Sequence, residues 1–223
     1  MPLRAAPLAA IAAVLALWCS ASSPSAQEIV TGRPPMYARL ERTRVYLSPL
    51  TAVTMRLDLD GESAFASHRV DGIGLSFGAD FILHRYAALW INGHAGAVTG
   101  AEARIAGRSA RLSSVEGSFR SIAAGAAGVL SDNRWTGLFG LGVFTAGAEW
   151  EGRDADSHTF VDTSANLTGV VASLRGDYTL RNGFILGFGV DAGGGIAAGA
   201  AARGARNPIG DWLVFYIPMG WTY

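Results

Sequence analysis

The chain closes on Asp211-Trp212-Leu213-Val214-Phe215-Tyr216-Ile217-Pro218-Met219-Gly220-Trp221-Thr222-Tyr223, and this stretch decides the fold. Leu213, Phe215, Ile217, Met219, Trp221 and Tyr223 recur at every second position. Successive side chains on a strand point to opposite faces, so these six share one face. Trp212, Val214, Tyr216, Pro218, Gly220 and Thr222 take the other. A helical period does not group the residues this way.

The same alternation recurs upstream. Residues 72–83 place Ile73, Leu75, Phe77, Phe81 and Leu83 together. Residues 135–147 do so with Trp135, Phe139, Leu141 and Val143. Residues 168–178 and 184–192 follow, through Val170, Leu174 and Tyr178, then Phe184, Leu186, Phe188 and Val190. Residues 44–58, with Pro49 inside them, and 88–98 carry a weaker form. Residues 119–130 are so rich in alanine and glycine that their facing is left open. Short turns fall at 84–87, 131–134 and 181–183, the last holding Asn182-Gly183, a strong hairpin signal. Long polar connections fall near 59–71, 100–118, 151–163 and 194–210. Eight strands joined alternately by short and long connections make an up-and-down antiparallel meander with both ends on the short side.

Composition says where such a meander belongs. Half of the 223 residues are apolar and only 16% are charged, which excludes a disordered chain. Basic and acidic residues balance at 18 each, so nothing points to nucleic acid. All the basic residues are arginine. Past the N-terminus no apolar run is long enough for a spanning helix. Residues 1–26 read as a cleaved signal peptide: Arg4, an apolar stretch from Pro7 to Trp18, then small residues to Ala26. Trp18 before Cys19, the only cysteine, argues against lipidation, and cutting after Ala26 removes disulfide chemistry. Residues 27–42 read as a short periplasmic lead-in and residues 43–223 as the barrel.

A soluble barrel turns its apolar face inward, and a membrane barrel turns it outward. The polar face here holds small residues and isolated charges: Arg56, Asp80, Arg175, Asp177 and Asp191. That suits a narrow interior in which charges of both signs pair, not a wetted exterior. Tyr86, Trp135, Tyr178, Phe184, Trp221 and Tyr223 lie near the short turns. Phe119, Phe144, Trp150, Phe160 and Trp212 lie near the long connections, and the two groups read as a pair of interfacial girdles. The fold expected is all-β: an eight-stranded antiparallel up-and-down transmembrane β-barrel.

On these residues the chain resembles the small eight-stranded outer-membrane β-barrels of Gram-negative bacteria, the OmpA-like and OmpX-like group, over about residues 43–223. The resemblance implies location in the outer membrane and contact with its lipids and lipopolysaccharide. It also implies an assembly signal in the last strand, carried by Phe215, Ile217, Met219, Trp221 and Tyr223, for the outer-membrane assembly machinery. Tyr223 stands where the family usually ends in phenylalanine. Pro218 removes a ladder donor from the closing strand, and Pro49 lies in its partner, so the seam is expected to be locally weak. No peptidoglycan-binding domain is expected after the barrel.

Chemistry is sparse. Lipid A deacylases of this architecture carry a His-x-Ser motif, and none of His68, His84, His94 and His158 has serine two residues on. Ser157 and His158 lie among Asp154, Asp156 and Asp162, which read as a solvated acidic loop. Arg104, Arg108, Arg111, Arg203 and Arg206 are candidates for lipopolysaccharide phosphates, which guanidinium binds bidentately. No cofactor, metal site or catalytic residue is expected. The role expected is that of a non-enzymatic, monomeric barrel serving membrane integrity, surface attachment or binding through its long loops. The alternatives are a narrow channel for small or apolar solutes and a lipid A-modifying enzyme.

Overall fold

The computed structural model describes residues 43–60, 65–84, 86–105, 108–132, 134–154, 156–199 and 207–222. The chain divides into Met1–Arg39 and Leu40–Tyr223. Residues 1–26 and 27–42, read as signal peptide and lead-in, fall outside the described residues, as do Arg203, Arg206 and Tyr223.

Nine strands follow in order: β1 (Thr43–Asp60), β2 (Phe65–His84), β3 (Ala87–Ile105), β4 (Arg108–Asp132), β5 (Trp135–Asp154), β6 (Phe160–Thr179), β7 (Phe184–Ala198), β8 (Asn207–Tyr216) and β9 (Met219–Thr222). Each pairs antiparallel with its neighbours, and β1 pairs with β2 on one side and with β8 and β9 on the other. The sheet is therefore a closed ring. β9 continues the line of β8 after a break at Ile217–Pro218, so the ring is eight strands around. At the hairpin between β6 and β7, Gly183 has φ +79°, and its N–H donates to Leu180 O at 3.0 Å. Glycine takes that conformation without steric cost.

The outer face of the short-turn end is an apolar belt. Phe77, Leu89, Leu141, Val143, Val170 and Phe188 are all exposed on it. On β5 the belt runs from Trp135 to Val143, nine residues, against the 9–11 that a tilted strand needs to cross a bilayer. Trp135 packs edge-on against Tyr178, and Phe184 against Trp221, each with centroids 5.0 Å apart. One aromatic girdle thus stands at the short-turn end.

Beyond the belt the polarity of the wall inverts. On β5 the outer residues become Glu149, Glu151 and Arg153, while Phe144, Ala146, Ala148 and Trp150 point inward and are buried. On β6 the outer Val170 gives way to Thr168 and Asn166, and Leu167 is buried inside. Three expectations are corrected here. Among the described residues, the segments near 59–71, 100–118, 151–163 and 194–210 are mostly strand, because outside the bilayer the wall closes around an apolar core of its own. Phe119, Phe144, Trp150 and Trp212 form no second girdle; they fill that core, and only Phe160 is exposed. The small, polar interior holds for the short-turn half alone.

β1 supplies a further correction. Its register against β2 shifts between Ser48 and Thr51, at Pro49. Pro49 and Leu50 both face outward. Tyr46 and Ser48 therefore point inward before the bulge, and Thr51, Val53, Met55 and Leu57 after it. The extra residue flips the facing of everything beyond. Arg56, expected inside the barrel, is exposed on the outer wall. In β4, Phe119, Ala123, Ala127 and Val129 face inward, which resolves the facing left open.

Inner glycines make room for inner aromatics. A Cβ at Gly78 would collide with the Tyr46 ring, one at Gly189 with Tyr216, and one at Gly193 with Phe144. A narrow barrel fits rings inside only where the facing strand has no side chain.

Candidate functional site

The short-turn half of the interior holds one continuous polar network. Arg175 on β6 donates through Nε to Asp177 Oδ2 at 3.0 Å and through Nη2 to Asp80 Oδ2 across the barrel. Its guanidinium also sits 4.3 Å above the Tyr46 ring. Arg44 on β1 donates to the same Asp177 Oδ2 at 3.3 Å, and to Thr136 and Thr179 at 3.1 and 3.3 Å. Asp80 and Asp177 are fully buried, so these pairs are sealed from water.

A second layer centres on Asp191 of β7. Asn92 Nδ2 donates to its Oδ2 at 2.8 Å, and Ser173 Oγ to its Oδ1 at 2.5 Å. Tyr216 OH adds a longer bond at 3.4 Å. His94 Nε2 lies 3.2 Å from the same carboxylate. His94 Nδ1 meets Ser76 Oγ at 2.5 Å, and Ser76 Oγ meets Thr51 Oγ1 at 2.5 Å. Tyr46 OH donates to Asn92 Oδ1. Above this layer Trp212 stacks on Phe144 at 5.0 Å, and His94 tilts against Trp212. The stack begins the apolar half.

Ser76, His94 and Asp191 thus form a serine–histidine–carboxylate string. Catalysis needs the nucleophile against a space that a reacting atom can enter. All three side chains are at most 1% exposed. Two interior cavities hold only about 10 Å³ each, one water at most. In this arrangement the three side chains hydrogen-bond to one another, buried from solvent. Among the described residues no three His, Cys, Asp or Glu side chains converge as metal ligands.

The structure brings Asp80, Arg175, Asp177 and Asp191 together inside and puts Arg56 outside. Of the residues expected to carry a C-terminal assembly signal, Phe215, Ile217 and Trp221 are exposed on the belt, and Met219 is half-buried. Arg111 is exposed on the outer wall opposite Glu102. Arg104 and Arg108 hold ladder positions on β3 and β4, and their side chains lie outside the described residues. Ser157 and His158 share no catalytic arrangement. The Asp154 carboxylate accepts from Ser157 Oγ and from the Ser157 and Asp156 N–H groups at 3.3 Å, so it caps the turn. Sequence reasoning missed Arg44, Tyr46, Thr51 and Ser173 as network members. Ser76 shares its parity with Asp80, and His94 shares its parity with Asn92, so alternation alone could have assembled much of the cluster.

The belt ends well below His68, which lies inside the apolar half against the edge of Trp150. Burial alone lowers its pKa from 6.5 to about 4, so it is neutral at ordinary pH.

No family model matches the sequence, and no curated protein does. The structure is similar to solved outer-membrane and surface proteins, among them these three. Ail, the attachment invasion locus protein of Yersinia pestis, is 10% identical with a TM-score of 0.46; the match covers 81% of this chain and 97% of that one. The outer membrane protein OprG of Pseudomonas aeruginosa is 14% identical with a TM-score of 0.49, covering 81% and 95%. Neisserial surface protein A is 11% identical with a TM-score of 0.44, covering 80% and 97%.

Proposed function

We propose that the chain is an integral outer-membrane β-barrel that neither conducts nor catalyses, and that holds a tall, rigid β-wall outside the membrane as a binding surface. One observation carries this reading: the inversion of polarity along the wall, sharpest on β5 and β6, although Ile196 of β7 and Ile209 of β8 stay exposed on the upper outer face. Apolar-out below and apolar-in above fits a barrel half in lipid and half in water. The filled interior supports a closed barrel. Both halves are packed, by the charged network below and by Trp212, Phe144, Phe119 and Leu57 above. Lipids, lipopolysaccharide and the assembly machinery are the partners of this reading, with export by the N-terminal signal and a monomeric state.

The outer wall narrows the binding chemistry. Arg69 pairs with Asp71 at 3.1 Å, and Thr54 donates to the same carboxylate at 2.8 Å. Arg111 faces Glu102, and Glu116, Glu151 and Asp162 stand in one cross-strand row. Arg69, and by register Arg111, stand against local carboxylates on this wall.

The test has two parts. Detergent-extracted protein is run on gels with and without boiling, and a folded barrel migrates differently in the two lanes. The refolded protein is then placed in a planar bilayer. No conductance steps are expected, and steady single-channel currents would favour the narrow channel instead. Unchanged lipid A by mass spectrometry, with and without the protein, completes the case against a lipid-modifying enzyme.

A further inference from the structure

The interior network leaves two carboxylate oxygens without a hydrogen-bond partner, Asp80 Oδ1 and Asp177 Oδ1, and only Asp80 lines a cavity. Asp80 is fully buried, and its Oδ2 receives Arg175, while its Oδ1 has no hydrogen-bond partner. An unpaired buried acceptor costs its desolvation penalty outright, so such groups are rare unless something fills the gap. Asp80 lines a cavity of about 10 Å³ together with Trp90, Asn92, Ser173 and Arg175, and Ala127, Leu138 and Gly140 complete its wall.

We infer that this cavity is a binding site for a single locked water that donates to Asp80 Oδ1. A bound water needs about one probe sphere of volume and two to four polar partners. The volume matches. The partners are present in kind: Asp80 Oδ1 accepts, the Arg175 guanidinium donates, and Ser173 Oγ, already donating to Asp191, has lone pairs free to accept. Water fits better than a metal cation, because Arg175 already brings a positive charge to the site.

The barrel contains its own control. A second cavity of about 10 Å³ lies in the apolar half, lined mainly by Val53, Met55, Val70, Phe119, Ala146 and Trp212. It matches in size; its lining also includes Arg120, whose side chain is exposed, but it has no buried carboxylate or hydroxyl, and apolar cavities stay dry. The Trp212–Phe144 stack lies between the polar layers and this half. The site holds one water on the polar side and none on the apolar side, so no water file crosses the barrel.

The experiment is a crystal structure of the refolded full-length barrel at a resolution that shows ordered waters. The expected result is one peak within hydrogen-bond distance of Asp80 Oδ1 and none among Met55, Phe119 and Trp212. An empty polar cavity, a protein donor on Asp80 Oδ1, or equal water density in both cavities would overturn the inference. Water-edited NMR in deuterated detergent gives a second reading on the native chain. A long-lived water contact is expected at the Asn92 side-chain amide, with at least a several-fold weaker one at the Met55 methyl. Equal signals would count against the site. Conductance plays no part in either readout, so failure here is distinct from failure of the closed-barrel reading.

Discussion

Arg175 holds two carboxylates at once, and this makes it the residue whose loss should be felt most. Removing one partner of a buried ion pair leaves an uncompensated charge and costs about 3–5 kcal/mol. Arg175→Met strands Asp80, whereas Asp177 keeps Arg44. Urea unfolding in detergent should therefore show a loss of that size. Adding Asp80→Asn should recover most of it, and a double variant no better than the single would break the pairing argument. His68 gives a pH test at the same scale. Its pKa is about 4 in the folded chain and 6.5 when unfolded, so between those values the unfolded state binds more protons. Stability from neutral burial is full above pH 6.5 and falls as the pH drops, by about 3 kcal/mol at pH 4. His68→Phe should unfold with a flatter profile over that window, and parallel profiles would show that His68 does not titrate as its burial implies.

At the scale of the element, the weak place is the seam. β1 bulges at Pro49 just where the opposite strand breaks at Ile217–Pro218. One side chain bridges the gap: Ser48 Oγ accepts from Ile217 N–H at 2.9 Å and donates to Leu50 O at 2.6 Å. Ser48→Ala removes both bonds and leaves Ile217 N–H only a 3.3 Å contact to Leu50 O. The expected cost is about 1 kcal/mol, and the Ile217 amide should exchange roughly tenfold faster while amides on β5 stay unchanged. Uniform exchange in the variant would show that the seam needs no such patch. The sequence announced the prolines but not their effect on facing. A one-residue bulge leaves no trace in composition, so alternation alone assigns Arg56 to the wrong side. β4 shows a different limit. Alanine and glycine between Ile122 and Gly128 carry too little hydrophobic contrast for alternation to register, and only pairing with β3 and β5 sets the strand's facing.

At the scale of the whole molecule, the lower half was legible and the upper half was not, for one physical reason. Alternation was read as having one apolar face per strand, but solvent changes along the strand and the apolar face changes with it. Phe144 and Trp150 have the opposite parity to Leu141 and Val143, and that parity was the available signal that they point inward. Three neighbours on β6 test the inversion directly. Val170 is 69% exposed on the belt, Asn166 is exposed above it, and Leu167 is fully buried inside the upper half. Val170→Arg places a charge in lipid and should cost about 2–4 kcal/mol if it sits near the midplane. Asn166→Arg meets water and should stay within about 0.5 kcal/mol of the native chain. Leu167→Arg separates this barrel from one that is polar throughout. A polar lumen would accept the arginine, whereas an apolar core must bury it unpaired and should fail to fold or lose more stability than Val170→Arg. Heat-dependent gel mobility and urea midpoints for the three variants read the order. Leu167→Arg folding as well as Asn166→Arg would mean that the upper half is not closed around an apolar core, and the proposed water-exposed wall would lose its physical basis.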